Sequence, residues 1–284
     1  MGLDSKQSEK DYGRRVAAAE WELVKPFAPK GANTLAESLP LIHDFAAALS
    51  VLDVAPTDAI LDLGAGPCWS TEWLQRLNLR TVAVDISLDL LAIGRRRMAS
   101  MSAPRLVAGD MESLPFADAT FDRVICLNAI HHAPHPDRAI REVRRILRPA
   151  GAAVFSEPGK GHSERPTSVA AVRDFGVTER DVLIGAFMNA CVDAGFADVR
   201  IKPLAYTVPA VDLRLDEWGA WQRLARRRRP LRALQKIARG VLEIFGLEKD
   251  RLLFEEALTM RVVRVLRGLI EEHPIIVAYC RSPT

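Results

Sequence analysis

At 284 residues the chain can form one large domain with appended elements or two small ones. Its 49% hydrophobic and 26% charged residues are those of a chain that buries a core, which excludes intrinsic disorder. The net charge of +3 gives no global field that would draw a polyanion, and the four widely spaced cysteines, with no CxxC pair, argue against a disulfide frame or a zinc cluster. Cys68, Cys126, Cys191 and Cys280 are expected to be buried thiols of a cytoplasmic protein.

Residues 1–10 are polar and expected to fray. From Asp11 to about residue 55 the pattern is helical, broken near Pro26, Pro29 and Gly31. Short apolar runs then alternate with amphipathic segments. Strands are expected at 59–63, 81–85, 105–109, 121–127 and 151–157, with helices at 69–77, 88–98 and 136–147 between them. That alternation reads as βαβ units around a parallel sheet covered on both faces. A helix over 178–194 leads to a strand over 199–208. Residues 209–272 read as almost wholly helical and basic, and a last strand-like run covers 274–280. Four parts follow: an N-terminal helical cap (1–55), a core (56–208), a helical insert (209–272) and a final core strand with its tail (273–284). No apolar run approaches the roughly eighteen residues that span a bilayer, so no stable membrane insertion is expected.

The segment Leu61-Asp62-Leu63-Gly64-Ala65-Gly66-Pro67-Cys68 follows a strand and opens a helix. Glycines there let the backbone turn sharply and approach a ligand. A dinucleotide fingerprint would need a third glycine where Trp69 stands, and no P-loop pattern is present. Asp85 closes the second strand, where an acid can accept from both hydroxyls of a ribose. After the third strand comes Gly109-Asp110-Met111, an acid able to accept from an adenine amine and a side chain able to cover the ring.

In this order and spacing the sequence resembles the class I S-adenosylmethionine-dependent methyltransferases, of the group that includes ubiquinone and menaquinone biosynthesis methyltransferases. The likeness covers about residues 58–157: LDLGAGPC looks like the glycine-rich first motif, VAVDIS like the second, and GDMESLPFADATFDRVICLNAIHHAPHPDRAIREVRRILRPAG like the downstream block. It implies a Rossmann-like, doubly wound α/β fold, a seven-stranded sheet of order 3-2-1-4-5-7-6 with the last strand antiparallel. It implies S-adenosylmethionine as cofactor, held by Asp62, Gly64, Ala65 and Gly66, by Asp85 and Ile86, by Asp110 and Met111, and by Asn128. Cys68 departs from the pattern, because the family often has a third glycine there.

Methyl transfer from a sulfonium is a displacement that depends on aligning nucleophile, methyl and sulfur. A hydroxyl acceptor also benefits from a base. His131, His132 and Glu157 lie at the strand ends that face the cleft of such a sheet, and they are the catalytic candidates, with the shaping of the loop as the alternative for the histidine pair. His135 and His162 follow nearby. No metal is expected, since Pro134 and Pro136 stiffen the loop and no matching carboxylate is evident beside these histidines. The expected activity is methyl transfer to a small molecule, at oxygen, of sugar-derived or secondary-metabolite type. RNA methylation, suggested by Arg226 to Arg229, and catalytically silent cofactor binding are the alternatives. The insert reads as a lid over the acceptor, with Trp218 and Trp221 as candidate pocket walls and a homodimer contact as the competing use of its apolar face.

Overall fold

The computed structural model describes residues 2–18, 20–27, 34–101, 105–202, 260–261 and 270–281. The chain divides into two compact units, residues 1–206 with 270–284, and residues 207–269. The expectations placed on 209–272, including the arginine run, Trp218 and Trp221, fall outside the described residues except at 260–261 and 270–272.

The first unit is built on strands β1 (Ala59–Leu63), β2 (Arg80–Asp85), β3 (Arg105–Ala108), β4 (Phe121–Leu127), β5 (Leu147–Ser156), β6 (Asp198–Lys202) and β7 (Ile275–Tyr279), paired in the order β3-β2-β1-β4-β5-β7-β6. Strands β1 to β5 run parallel, and β7 is antiparallel to both its neighbours. The sheet agrees with the order that the resemblance implies.

Alternation along each strand gives the sheet two apolar faces. Leu61, Leu63, Val124, Cys126, Ala153, Phe155, Ile276 and Ala278 join one core with helices α6 (Pro136–Ile146) and α8 (Ile184–Asp193). Ile60, Ile125, Ala152, Val154, Ile275 and Val277 join the other, with α3 (Thr34–Leu52) and α4 (Trp69–Arg76). There Phe45, Trp69 and Trp73 meet with ring centroids 5.3 to 5.9 Å apart. Helix α5 (Leu88–Arg97) begins at Ser87, whose hydroxyl accepts from the Leu90 amide, and packs on β2 and β3.

Two expectations are corrected. The N-terminus does not fray: α1 spans Gly2–Val16, and α2 (Glu20–Val24) follows. Gly13 lets α1 lie against α5, since a Cβ there would sit 2.2 Å from the Ser87 hydroxyl, and Tyr12 packs edge-on against Phe175 at 5.2 Å. Few apolar side chains suffice because the polar ones are used by tertiary partners. The helix expected over 178–194 starts later, as α8 at Ile184, and a helix that was not expected, α7 (Pro166–Phe175), precedes it. Gly176 ends α7 in the left-handed conformation, φ +68°. Residues 177–183 stay extended because their polar groups are taken elsewhere. Asp181 accepts from the amides of Gly161 and Ser163, and the Val182 amide donates to the Pro158 carbonyl. No described helix is long and apolar enough to cross a membrane.

Candidate active site

Strand order reverses between β1 and β4, and ligands of open α/β sheets sit at the carboxyl ends of the strands at such a point. A cavity of about 260 Å³ opens there. Its walls include Gly64, Ala65 and Gly66 after β1, Asp85 and Ile86 at the end of β2, Asp110 and Met111 after β3, and Asn128 and His132 after β4.

The glycine-rich loop is shaped by its backbone. The Gly64 and Ala65 amides both donate to the Val84 carbonyl, at 2.9 and 3.0 Å. Gly64 has φ +68°, and a Cβ there would lie 2.4 Å from that of Ala129, so no larger residue fits. A Cβ on Gly66 would meet nothing within 4 Å, which leaves its backbone bare toward the cavity. Cys68, where the family often has glycine, also takes a left-handed conformation, φ +57°. Its thiol fits because Gly94 on α5 has no side chain, a Cβ there being 2.5 Å from the Cys68 sulfur.

Asp85 holds this loop while facing the cavity. Its Oδ2 accepts from the Gly66 amide and its Oδ1 from the Ser87 amide, both at 2.8 Å. A carboxylate has about four lone-pair sites, so it can still accept from a ribose. Burial pushes its pKa up, against the pull of the Ser87 and Gly66 amides. Asp110 also faces the cavity, but its Oδ2 accepts from Lys6 on α1 at 2.6 Å, and Lys6 reaches Glu112 at 2.9 Å. Lys6, Glu9, Tyr12 and Val16 of α1 form one wall, and Glu22, Lys25 and Trp69 add to the lining. Asn128, with φ +51°, donates its side-chain amide to Asp44.

Three of the sequence candidates lie elsewhere. Asp62 is buried behind the loop and does not line the cavity. Its Oδ2 accepts from the Ser70 and Thr71 hydroxyls, both at 2.6 Å, so it fastens the first turn of α4. Burial pushes its carboxyl up to about 6, the two hydroxyls opposing the shift. Glu157 is also buried and absent from the lining. It accepts from the Ala129 and Ile130 amides and from His131 Nδ1 at 2.7 Å, so Glu157 and His131 together shape the turn after β4 (Ile130–His132). Neither can touch a ligand in the cavity as a base would.

His132 does line the cavity. Its Nδ1 lies 2.7 Å from the Thr178 carbonyl, which can only accept, so Nδ1 carries the proton and Nε2 keeps its lone pair. Burial, together with the neighbouring His131, pushes the pKa of His132 down. Beside it stands Glu179, a cavity residue from the extended segment after α7, whose Oε2 pairs with His162 at 2.6 Å. The expectation that no carboxylate adjoins these histidines is therefore wrong in space. His131, His132 and Glu179 bring one ligand atom each to within 4.8 Å of one another. His135 is not in this group; its amide donates to Glu112.

Residues 61–155 match the family model described as a methyltransferase domain. The chain carries a class I S-adenosylmethionine-dependent methyltransferase domain. The demethylmenaquinone methyltransferase of Thermobifida fusca is 36% identical over 113 residues, 39% of this chain and 48% of that protein. The chain thus spans about half the length of the curated relatives it matches. Among solved structures, the [4+2]-cyclase SpnF superposes with a TM-score of 0.58 at 18% identity, over 98% of this chain and 97% of that one. A Haemonchus contortus phosphoethanolamine N-methyltransferase 2 in complex with S-adenosyl-L-methionine gives 0.56 at 16%, over 99% and 59%. At such identities the superpositions establish the methyltransferase fold and nothing about the acceptor.

Sequence reasoning did not single out Lys6, Glu9, Tyr12 or Glu179. Each reaches the cavity from an element whose place is set by tertiary packing. The polar face of α1 was the one available signal, and it reads equally well as a solvated tail.

Proposed function

We propose that the chain binds S-adenosylmethionine in this cavity and transfers its methyl group to a small-molecule acceptor, at oxygen. The observation that carries the reading is the presence on one cavity wall of the bare Gly64–Gly66 backbone, Asp85 beside it, and Asp110 with Met111. Their order along the sheet suits methionine, ribose and adenine. Asp85 has lone pairs to spare for ribose hydroxyls, and Asp110 receives the adenine amine if Lys6 yields its place. His132 and Glu179 then give the cavity a polar end for an acceptor hydroxyl. Alignment within such a cavity can supply roughly 7–11 kcal/mol of the barrier reduction. A sugar-derived or secondary metabolite suits a cavity of about 260 Å³ better than a folded RNA does. The four buried, free thiols favour work in the reducing cytoplasm.

The test has two stages. Calorimetry is expected to give a dissociation constant of about 1–10 µM or tighter for S-adenosylmethionine or its demethylated product, corresponding to about −7 to −8 kcal/mol. Labelled methyl transfer into a panel of hydroxylated small molecules is then expected, with none into RNA. No binding of either cofactor form sinks the reading. Binding without transfer to any acceptor supports the silent alternative. Salt-sensitive methyl incorporation into RNA would establish the other one.

A further inference from the structure

We propose that His131, His132 and Glu179 form a binding site for one divalent first-row transition-metal ion, of the zinc class, opening onto the cofactor cavity. Around one tetrahedral zinc, bonds of about 2.0–2.2 Å put neighbouring ligand atoms roughly 3.4 Å apart. His131 Nε2 already lies 3.6 Å from Glu179 Oε2, and all three ligand atoms fall within 4.8 Å.

The surrounding groups orient the imidazoles as metal sites require. The Nδ1 of His131 is 2.7 Å from the Glu157 carboxylate, and Glu157 is itself fixed by the Ala129 and Ile130 amides. The Nδ1 of His132 is 2.7 Å from the Thr178 carbonyl. Each Nδ1 proton therefore has an acceptor, and each Nε2 lone pair is left for a cation. A carboxylate or carbonyl behind a ligating histidine is the usual outer support of such a site. His162, 2.6 Å from Glu179 Oε2, plays the same supporting part for the carboxylate.

The charge balance also calls for a cation. Glu9, Glu157 and Glu179 converge on this cluster, and among the described residues the ion-pair partners of all three are histidines. The nearby basic groups point elsewhere: Lys6 to Asp110 and Glu112, and Arg180 to the Pro134 carbonyl. The His131 and His132 rings lie 3.9 Å apart, and His131 is buried. One divalent ion offsets two of these three carboxylate charges. Two imidazoles and one carboxylate suit zinc, cobalt, manganese or iron and disfavour calcium.

Three protein ligands leave a coordination position open, and His132 and Glu179 face the cavity. Resting on the methyl-transfer reading, that position would take the acceptor oxygen and lower its pKa. The O–H proton passes to solvent, the oxygen attacks the methyl carbon, and the C–S bond breaks with its electron pair going to sulfur.

The experiment uses the full, untagged chain freed of metal with a chelator and titrated with Zn²⁺ and Co²⁺ in the absence of cofactor. Expected are one ion per chain and, for Co²⁺, visible d–d absorption of a four- or five-coordinate site. Glu179→Gln and His132→Ala, each shown folded by circular dichroism, are expected to weaken Zn²⁺ binding at least about 100-fold, as loss of a ligand from a small site implies. His43→Ala is the control and keeps wild-type affinity. Absence of stoichiometric binding, or binding that both ligand variants retain, overturns the proposal. Cofactor affinity is measured separately on the metal-free chain, so failure of the methyl-transfer reading and failure of the metal site are read independently.

Discussion

At the scale of single residues, Asp62 and Asp85, acids near the ends of the paired strands β1 and β2, show how two such groups beside one glycine-rich loop acquire different work. Asp85 faces the cavity and clamps the loop through the Gly66 and Ser87 amides. Asp85→Ala is expected to weaken cofactor binding about 10- to 100-fold. Charge-assisted ribose bonds contribute roughly 1.5–3 kcal/mol, and a decade of affinity is about 1.4 kcal/mol. An unchanged dissociation constant in a folded variant would remove Asp85 from the site. Asp62 stands behind the loop, where burial pushes its carboxyl up to about 6 from the ordinary aspartate range. The folded state therefore favours its protonated form. That stabilisation is complete below the unfolded pKa, fades as pH rises through about 6, and amounts to on the order of 3 kcal/mol. Chemical denaturation at pH 5 and pH 8 should show the wild type losing more stability over that interval than Asp62→Asn. Parallel losses in the two proteins would contradict this account.

Among the elements, α1 carries the largest difference from expectation. It is polar along most of its length, yet it closes the cavity with Lys6, Glu9, Tyr12 and Val16, and Lys6 occupies Asp110. Its anchors are specific: Gly13 against Ser87, Tyr12 against Phe175, and Glu9 accepting from the Thr178 amide at 2.9 Å. Removing residues 2–16 is expected to leave the sheet folded, since among the described residues none from α1 joins the two larger apolar cores. Cofactor binding should weaken at least about 10-fold, chiefly through faster release, because a cavity wall is lost. Stopped-flow release rates would check this; equal rates with and without the helix would mean that α1 does not close the site. The extended segment after α7 is the converse case. A chain that reads as helical stays open there because Gly176 ends the preceding helix and Asp181 is held by the Gly161 and Ser163 amides. That opening carries Glu179 to the histidines.

For the whole molecule, the question is what residues 207–269 do. Strands β6 and β7 pair directly, with Lys202 opposite Ile275, so a short turn would serve to join them. The sixty-odd residues between them form a separate unit. We propose that this unit governs acceptor recognition as a lid, with a homodimer contact as the competing use. Replacing 207–269 by a short linker is expected to leave cofactor affinity within about twofold and to lower acceptor turnover at least about 10-fold, as loss of a closing element does. Unchanged turnover would discard the lid. A change from dimer to monomer with acceptor affinity intact would establish the interface instead.

The resemblance to a family implied the strand order, while the strands themselves and the positions of Gly64, Gly66, Asp85, Asp110 and Met111 could be read from the sequence. Each depends on local pattern: apolar runs that must pair in a sheet, glycines where the backbone must turn, and polar residues at strand ends where a cleft must lie. Tertiary structure decided which side of its strand or loop each acid faced. Asp62 and Asp85 look equivalent in the sequence, yet one is buried against Ser70 and Thr71 while the other lines the cavity. Glu157 and His131 are each catalytic candidates by their place at strand ends, and packing turned them toward each other. The contribution of α1, and the meeting of Glu179 with His131 and His132 across some fifty residues of chain, lay beyond sequence pattern. A local pattern fixes what an element is, while the chemistry of a site depends on distances between elements that only the packed sheet sets.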